Sequence, residues 1–360
     1  MAAGDIRDTE NVRESQFRNK VYWFTFLLSI LVIWVHSFNA ELFLGAGDDF
    51  LRTDRLERIL GDSLGQIAVP GFFMVSAYLF YRNFTWDRLL PKWKSRLKSI
   101  VVPYILWNFL YYAAYAGATR LPGAAGFMGK PPIPVSLGEL FEAVVHFKYN
   151  PVFWYLYQLI ILIALAPVLF ILLRRSVTGV LLIAVILLGL WRNWSLPQLN
   201  MDALFYYTVA AFTALHREKW GRFAEMRFHR RQAAGAAVCL VLAFLALTVS
   251  GRPGGALFML PLHTVLVRFW GVCALAFLMK ELPLGQAAQW MKNNFFLYAV
   301  HFAWVRLFNK LSARILPPCP ASALVMFGLM PFFMVVISSW LGKFLRIVAP
   351  GIYRLLSGGR

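Results

Sequence analysis

The feature that most constrains this chain is the recurrence of long apolar segments. A helix that crosses the hydrocarbon of a bilayer needs roughly 17–25 mainly apolar residues. Ten such segments are read along the sequence, at about 21–38, 62–81, 100–117, 152–173, 177–191, 201–216, 233–250, 256–279, 294–311 and 321–342. The fifth and sixth are the shortest. Barrel strands would alternate apolar and polar residues, whereas residues 160–173 and 178–190 are apolar on every side. The expected fold class is therefore all-α: a polytopic integral membrane helix bundle of about ten transmembrane helices. Composition agrees, since 59% of the residues are hydrophobic and 15% charged, against about 45–50% and about 25% in a soluble domain.

The few charges are lopsided, with 36 Lys and Arg against 17 Asp and Glu and a net charge of +19. On a soluble surface that surplus would suggest nucleic acid. Placed on a ten-span topology with both termini cytoplasmic, the inner segments hold 24 Lys/Arg and 8 Asp/Glu, and the remainder 12 and 9. Short cytoplasmic loops carry an excess of Lys and Arg, so the surplus reads as a topology signal and no nucleic-acid partner is expected. The partition expected is a cytoplasmic N-terminal tail at 1–20, a transmembrane domain at 21–342 and a basic cytoplasmic tail at 343–360. The first apolar run is not short and lacks an A-x-A-like cleavage site, so it is expected to be a retained helix. Residues 39–60 and the Pro-rich stretch 118–151 are expected to be outer loops.

Two inner loops are strongly basic. The stretch 82–98 carries Arg82, Arg88, Lys92, Lys94, Arg96 and Lys98 and runs into Pro103 and Tyr104. Attraction to anionic lipid explains most such loops. This one also suits phosphate, because Arg and Lys donate charge-assisted hydrogen bonds to phosphate oxygens. The loop 216–232 is read as topogenic only.

Polar groups in hydrocarbon are costly and face a bundle interior or a cavity. In the first helix, Thr25, Ser29, His36 and Asn39 fall at about 0°, 40°, 20° and −40° at 100° per residue, a single narrow stripe. In the ninth, Asn294, Tyr298 and His301 fall at about 0°, 40° and −20°. Gln66, Asn108, Gln158 and Arg268 are the other intramembrane polar groups read. An imidazole, with a reference pKa of about 6.5, can accept a hydroxyl proton near neutral pH, which makes His36 the candidate base. No metal-ligand spacing, no phosphate-binding glycine loop and no Gly-x-Ser-x-Gly elbow is present. The three cysteines, Cys239, Cys273 and Cys319, form no framework.

Several motifs, in order, resemble the acyltransferase-3 family of integral membrane acyltransferases. The first helix ends Leu-Val-Ile-Trp-Val-His-Ser-Phe-Asn at 31–39. Residues 69–80, Val-Pro-Gly-Phe-Phe-Met-Val-Ser-Ala-Tyr-Leu-Phe, are similar to the family's P-x-F-F-x-x-S-G-Y-L-F. Residues 94–108, Lys-Ser-Arg-Leu-Lys-Ser-Ile-Val-Val-Pro-Tyr-Ile-Leu-Trp-Asn, are similar to its basic K-R-L-K-x-L-x-x-P-Y-x-x-W-N. Phe-Trp-Tyr-Leu at 153–156, Asn-Phe-Phe-Leu-Tyr-Ala-Val-His at 294–301 and the tail 355–360 complete the series. The resemblance implies transfer of an acyl group, usually acetyl, from cytoplasmic acyl-CoA (acetyl-CoA) to a hydroxyl of a cell-envelope sugar or polysaccharide. It further implies a multi-pass protein of the cytoplasmic (inner) membrane, with the bilayer and a glycan acceptor as its partners. His36 matches the family's essential histidine, with Asn39 positioning it, and His301 matches a later histidine. Arg96 and Lys98 match the residues that would hold the CoA phosphates, joined by Arg88 and Lys94. Many members carry Arg or Lys where this chain has Thr25, and Lys20, Arg18 and Arg268 are the possible replacements.

Two rival readings belong to other classes. Buried polar stripes also suit a transporter or flippase for a lipid-linked glycan or small solute. Broken helices at paired positions of two halves would mark it, and Pro70, Pro103, Pro167, Pro261 and Pro331 show no clear pairing. The other is a non-catalytic partner in an envelope-synthesis complex. Acyl-CoA binding and CoA release separate both from an enzyme.

Overall fold

The structure is a computed structural model that describes residues 3–217, 230–249 and 262–359. In chain order the helices begin with α1 Ala3–His36, α2 Ala40–Leu44, α3 Asp48–Arg58, α4 Ala68–Tyr81, α5 Leu89–Arg96 and α6 Val102–Ala118. They continue with α7 Ala124–Met128, α8 Leu137–Val145, α9 Trp154–Ala164, α10 Ala166–Leu173, α11 Ser176–Trp191 and α12 Met201–Leu215. The last six are α13 Arg230–Val249, α14 Leu262–Glu281, α15 Gln289–Lys292, α16 Asn294–Ile315, α17 Pro320–Val348 and α18 Pro350–Leu356. Among the described residues every regular element is helical, so the all-α expectation holds.

Among the described residues, six helical stretches are long and apolar enough to cross a membrane: Asn11–Leu44, Asp48–Tyr81, Trp86–Ala118, Arg231–Val249, Leu262–Glu281 and Pro320–Val348. The expected fourth span is two short helices, α9 and α10, broken between Ala164 and Ala166. Pro167 follows the break at once, and a proline ring clashes with the carbonyl four residues back. α11 and α12 have 16 and 15 residues, about 24 and 22 Å at 1.5 Å per residue, short of a hydrocarbon core of about 30 Å. α16 interleaves Arg306, Lys310 and Arg314 with its apolar residues. The start of the eighth expected span, at 256–261, and most of the second basic loop, at 218–229, lie outside the described residues.

Three stretches expected as loops or tails are helical instead. α1 begins at Ala3, well inside the supposed polar tail. The expected outer loop 39–60 forms α2 and α3, and continues through a π-helical turn, Ile59–Leu64, and a 3₁₀ turn, Gly65–Ile67, into α4. The basic stretch after Thr85 is a 3₁₀ turn, Trp86–Arg88, then α5, then a π-helical turn, Leu97–Val101, that feeds α6. Apolar length marks only the part of a helix that sits in hydrocarbon. The backbone ladder carries on where side chains turn polar.

The chain divides into two compact units. The first takes in the described residues of Met1–Phe84 and Pro167–Ser339, the second those of Thr85–Ala166 and Trp340–Arg360. In the first, α1 packs on α4, α14 and α16, and α12 lies along α4. Ile33, Met291, Val305, Ala323, Met330 and Met334 close its core. Helices gain little hydrophobic energy from leaving lipid, so close approach at small residues matters more. A Cβ on Gly65 would stand 2.5 Å from Val35 Cγ2 and 3.2 Å from the Leu31 carbonyl, so the backbones could not meet with a larger residue there.

In the second unit α6 is the axis. The stretch 118–151, expected as a non-helical outer loop, holds α7 and α8 and turns back along α6. Ile133 N–H donates to Thr119 Oγ1 (3.2 Å) and the Tyr112 hydroxyl to the Pro134 carbonyl (3.0 Å). Asn108 Nδ2 then donates to the Val144 carbonyl (3.2 Å) and the Tyr104 hydroxyl to the Val145 carbonyl (2.7 Å). From Thr119 to Tyr104 this return follows the helix for about 22 Å.

Candidate functional site

α1 carries His36 as its last helical residue. Within α1, the lower polar positions of the first stripe are satisfied by their own helix. Thr25 Oγ1 donates to the Val21 carbonyl (2.8 Å) and Ser29 Oγ to the Thr25 carbonyl (3.2 Å), the usual outcome for a hydroxyl within a helix. His36 is different. Its ring stands 5.5 Å from that of His301, tilted by 40°, and meets Phe302 edge-on at 5.6 Å. The two stripes read from sequence, on α1 and α16, therefore face each other.

His301 is fully buried. Its Nδ1 lies 2.6 Å from the Tyr298 carbonyl. A carbonyl oxygen can only accept, so Nδ1 carries the proton and Nε2 presents a lone pair, an assignment made from the hydrogen-bond network. That Nε2 is buried with no partner among the described residues. Tyr298 stacks at a tilt on His301, 5.7 Å between centroids. Asn294 has both amide atoms buried and unpartnered. Buried polar groups are nearly always satisfied, and His301 Nε2 and the Asn294 amide stand on one helix face without a partner among the described residues.

Asn39 lies just past the end of α1. Its Nδ2 reaches Asn309 Oδ1 at 3.5 Å, and its backbone N–H donates to Glu57 Oε2 at 3.0 Å. Asn309 Nδ2 donates to the carbonyls of Ser37 (3.1 Å) and Phe38 (3.3 Å). Glu57 and Asn309 are residues that the sequence reading missed. Asn309 had a signal: continuing the stripe of α16 from Asn294 puts it at about 60°. Glu57 had none, being one acid among the many charges of 39–60.

The basic residues fall in two groups. Arg82 belongs to the first unit, where it pairs with Glu14 (2.7 Å) and lies over the Phe17 ring (4.3 Å). Arg88, Lys92 and Arg96 recur every four residues along α5 and its leading turn, and Lys94 and Lys98 form a second row at the same spacing. Such neighbours stand one helical turn apart, close enough for one polyphosphate to touch more than one. Arg88, Lys94 and Lys98 are exposed and Arg96 half-buried. An anionic ligand fits that donor set.

The three possible replacements for a cation at Thr25 also separate. Arg18 pairs with Glu14 at 3.1 Å, and Lys20 donates to the Lys280 carbonyl. Arg268 is buried, with Nε unpartnered. It does not snorkel to a surface. Of the remaining polar groups, Asn108 and Gln158 are buried and Gln66 half-buried. The three cysteines are free and half-buried. Among the described residues no group of three or more His, Cys, Asp or Glu is placed to hold a metal ion.

No curated protein and no solved structure matches this chain. A family model, that of acyltransferase-3, described as an acyltransferase domain, matches residues 22–343. That match takes in both histidines, Glu57, Asn309 and the basic rows, and the long apolar helices make the protein multi-pass in a membrane. By this match over nearly the whole chain, the protein is a membrane-embedded member of the acyltransferase-3 family.

Proposed function

We propose that the protein is an O-acyltransferase of the cytoplasmic membrane. It moves an acyl group, of the acetyl class, from cytoplasmic acyl-CoA to a hydroxyl of a cell-envelope sugar or polysaccharide. The observation that carries this reading is the His36–His301 pair, two imidazoles 5.5 Å apart with a buried, unpartnered nitrogen on one of them. His36 acts as general base. It takes the hydroxyl proton as the oxygen attacks the thioester carbonyl, and the resulting tetrahedral species expels the CoA thiolate, which recovers the proton. His301, held in one tautomer by Tyr298, presents its Nε2 lone pair to the site beside the His36 ring.

The CoA phosphates are held by Arg96 and Lys98, with Arg88 and Lys94 alongside. Arginine's planar fork suits phosphate oxygens, and lysine adds point charge. Arg268 supplies the buried positive charge that the family carries at the position of Thr25. Asn39 acts through the backbone that follows His36. The glycan acceptor and the acetyl donor rest on the family resemblance.

The test is CoA release by the purified protein, given acetyl-CoA and envelope glycans. General-base assistance is typically worth 10²–10⁴-fold, so His36→Ala should lose transfer by about that factor at equal membrane abundance. Full activity in that variant removes His36 as base. Arg96→Ala should raise the acetyl-CoA KM at low salt, and less so at high salt, where the wild-type contact is itself screened. A KM equal to that of the wild type would leave the basic rows with a topogenic role only.

A further inference from the structure

Where the chain leaves His36 it stops being helix for three residues, 37–39. Backbone groups at a helix end need partners. Here they come from two side chains distant in sequence. Glu57 Oε2 accepts the N–H groups of Asn39 (3.0 Å) and Ala40 (3.3 Å). Asn309 Nδ2 gives both its hydrogens to the carbonyls of Ser37 and Phe38. Glu57 is 0% exposed and Asn309 3%. The Phe38 ring is gripped as well. Arg58 lies over it at 4.8 Å while tied to Asp54 (2.5 Å) and Asp62 (3.2 Å). On the ring's other contact, Gly61 has no Cβ, and one placed there would stand 2.5 Å from the ring.

We propose that Glu57 and Asn309 are positioning residues for the reaction: one holds the N–H groups, the other the carbonyls, of the backbone leaving His36, and together they aim its imidazole. The proposal rests on the reading of His36 as general base. A helix end could be capped at less cost. Serine, threonine and asparagine satisfy the first N–H groups of a helix routinely, whereas a fully buried carboxyl group, one oxygen of which has no partner among the described residues, is costly to keep. Its presence at this turn is explained if the turn must not move. Misplacing a catalytic group by about 1 Å can cost about 10²-fold in rate. Asn309 adds a link to His301, because the two sit on the same helix, α16. The brace therefore fixes His36 relative to the helix that carries its partner.

The experiment compares Glu57→Ala, Glu57→Gln, Asn309→Leu and His36→Ala in the full-length protein at matched membrane abundance, reading kcat and the acetyl-CoA KM. Glu57→Ala and Asn309→Leu should each lower kcat by about 10- to 100-fold with KM within about twofold, the pattern of a lost transition-state geometry. Glu57→Gln keeps an oxygen for the two N–H groups and should stay within about threefold of the wild type. A wild-type kcat in Glu57→Ala or Asn309→Leu overturns the proposal. So does a Glu57→Gln variant as impaired as Glu57→Ala, because the acceptor oxygen would then not be what matters. If Glu57→Ala does not reach the membrane, Asn309→Leu and Glu57→Gln decide by the same criteria. If His36→Ala keeps its activity, the base assignment fails. If His36→Ala is inactive while the brace variants are normal, only the positioning role fails.

Discussion

A buried amide without partners is a cost that folding alone would not keep, and Asn294 has both amide atoms in that state. Leaving buried polar groups unsatisfied costs about 1–3 kcal/mol, and an apolar group of the same shape can be neutral or stabilising. Asn294→Leu should therefore raise the thermal midpoint while lowering transfer activity. A variant both destabilised and fully active would mean that the amide is satisfied within the fold and has no ligand to meet. The same reasoning separates what was readable at this scale. The facing histidines were legible, because a polar residue in an apolar helix stands out and the helical period fixes its face. Thr25 and Ser29 stood out equally and turned out to bond to their own helix, since a hydroxyl is satisfied by one carbonyl four residues back, whereas an imidazole that returns one nitrogen to its helix, as His301 does to the Tyr298 carbonyl, still presents the other. Glu57 was hidden among like residues, where polarity marks nothing.

At the scale of elements, the second unit offers two tests. Gly358 has φ +70°, and a Cβ there would stand 2.5 Å from the Ser99 carbonyl oxygen, in the π-helical turn just after Lys98. Nearby, the Trp107 indole donates to the Leu356 carbonyl at 2.9 Å, and Tyr353, Leu356 and Ser357 are buried. Gly358→Val should lift this segment off α6, at about 1–3 kcal/mol for the strained backbone. A changed exposure of Trp107 to quenchers would report it, and unchanged quenching would show that the segment tolerates a Cβ. α8 carries a pH-sensitive tie. Lys148, 2.6 Å from Glu139 Oε1, and the Tyr149 hydroxyl hold the Glu139 carboxyl below its usual range. A depressed carboxyl pKa stabilises the fold above the ordinary value and loses that contribution as pH falls through the folded one. Hydrogen exchange across 137–150 should be steady at neutral pH, beyond the intrinsic trend, and rise below about pH 4. Glu139→Gln should abolish that rise, and a rise that persists in it would place the sensitivity elsewhere. α8 itself was legible but passed over. Ser136 accepts from the Glu139 N–H at 3.1 Å, the Ser-x-x-Glu spacing of a capping box, which a search for apolar length does not register.

Across the whole molecule, charge decides orientation and apolar length does not. The stretch Trp86–Ala118 runs for 33 residues, about 50 Å if fully helical, against a hydrocarbon core of about 30 Å. A rod that long must project from the bilayer, and its cations, Arg88 to Lys98, all lie toward one end. Burying them in lipid would cost about 2.5–3.5 kcal/mol each even on the lenient insertion scale, so that end belongs in water. By the positive-inside rule the excess of Lys and Arg favours the cytoplasmic face for it, the side of the acyl-CoA donor proposed above. The orientation thus carries a functional demand as well as a topological one. With Cys239, Cys273 and Cys319 replaced, Leu90→Cys and Leu121→Cys place single thiols at exposed positions near the two ends of this rod. A membrane-impermeant maleimide added to intact cells should label the thiol at 121 and spare the one at 90, with the pattern reversed in inside-out vesicles. Acetyl-CoA, which does not cross the bilayer, should likewise support transfer only in inside-out vesicles. Labelling of both thiols from one side would mean that the rod does not cross. Labelling of the thiol at 90 alone from outside would put the basic rows on the wrong face to receive a cytoplasmic donor.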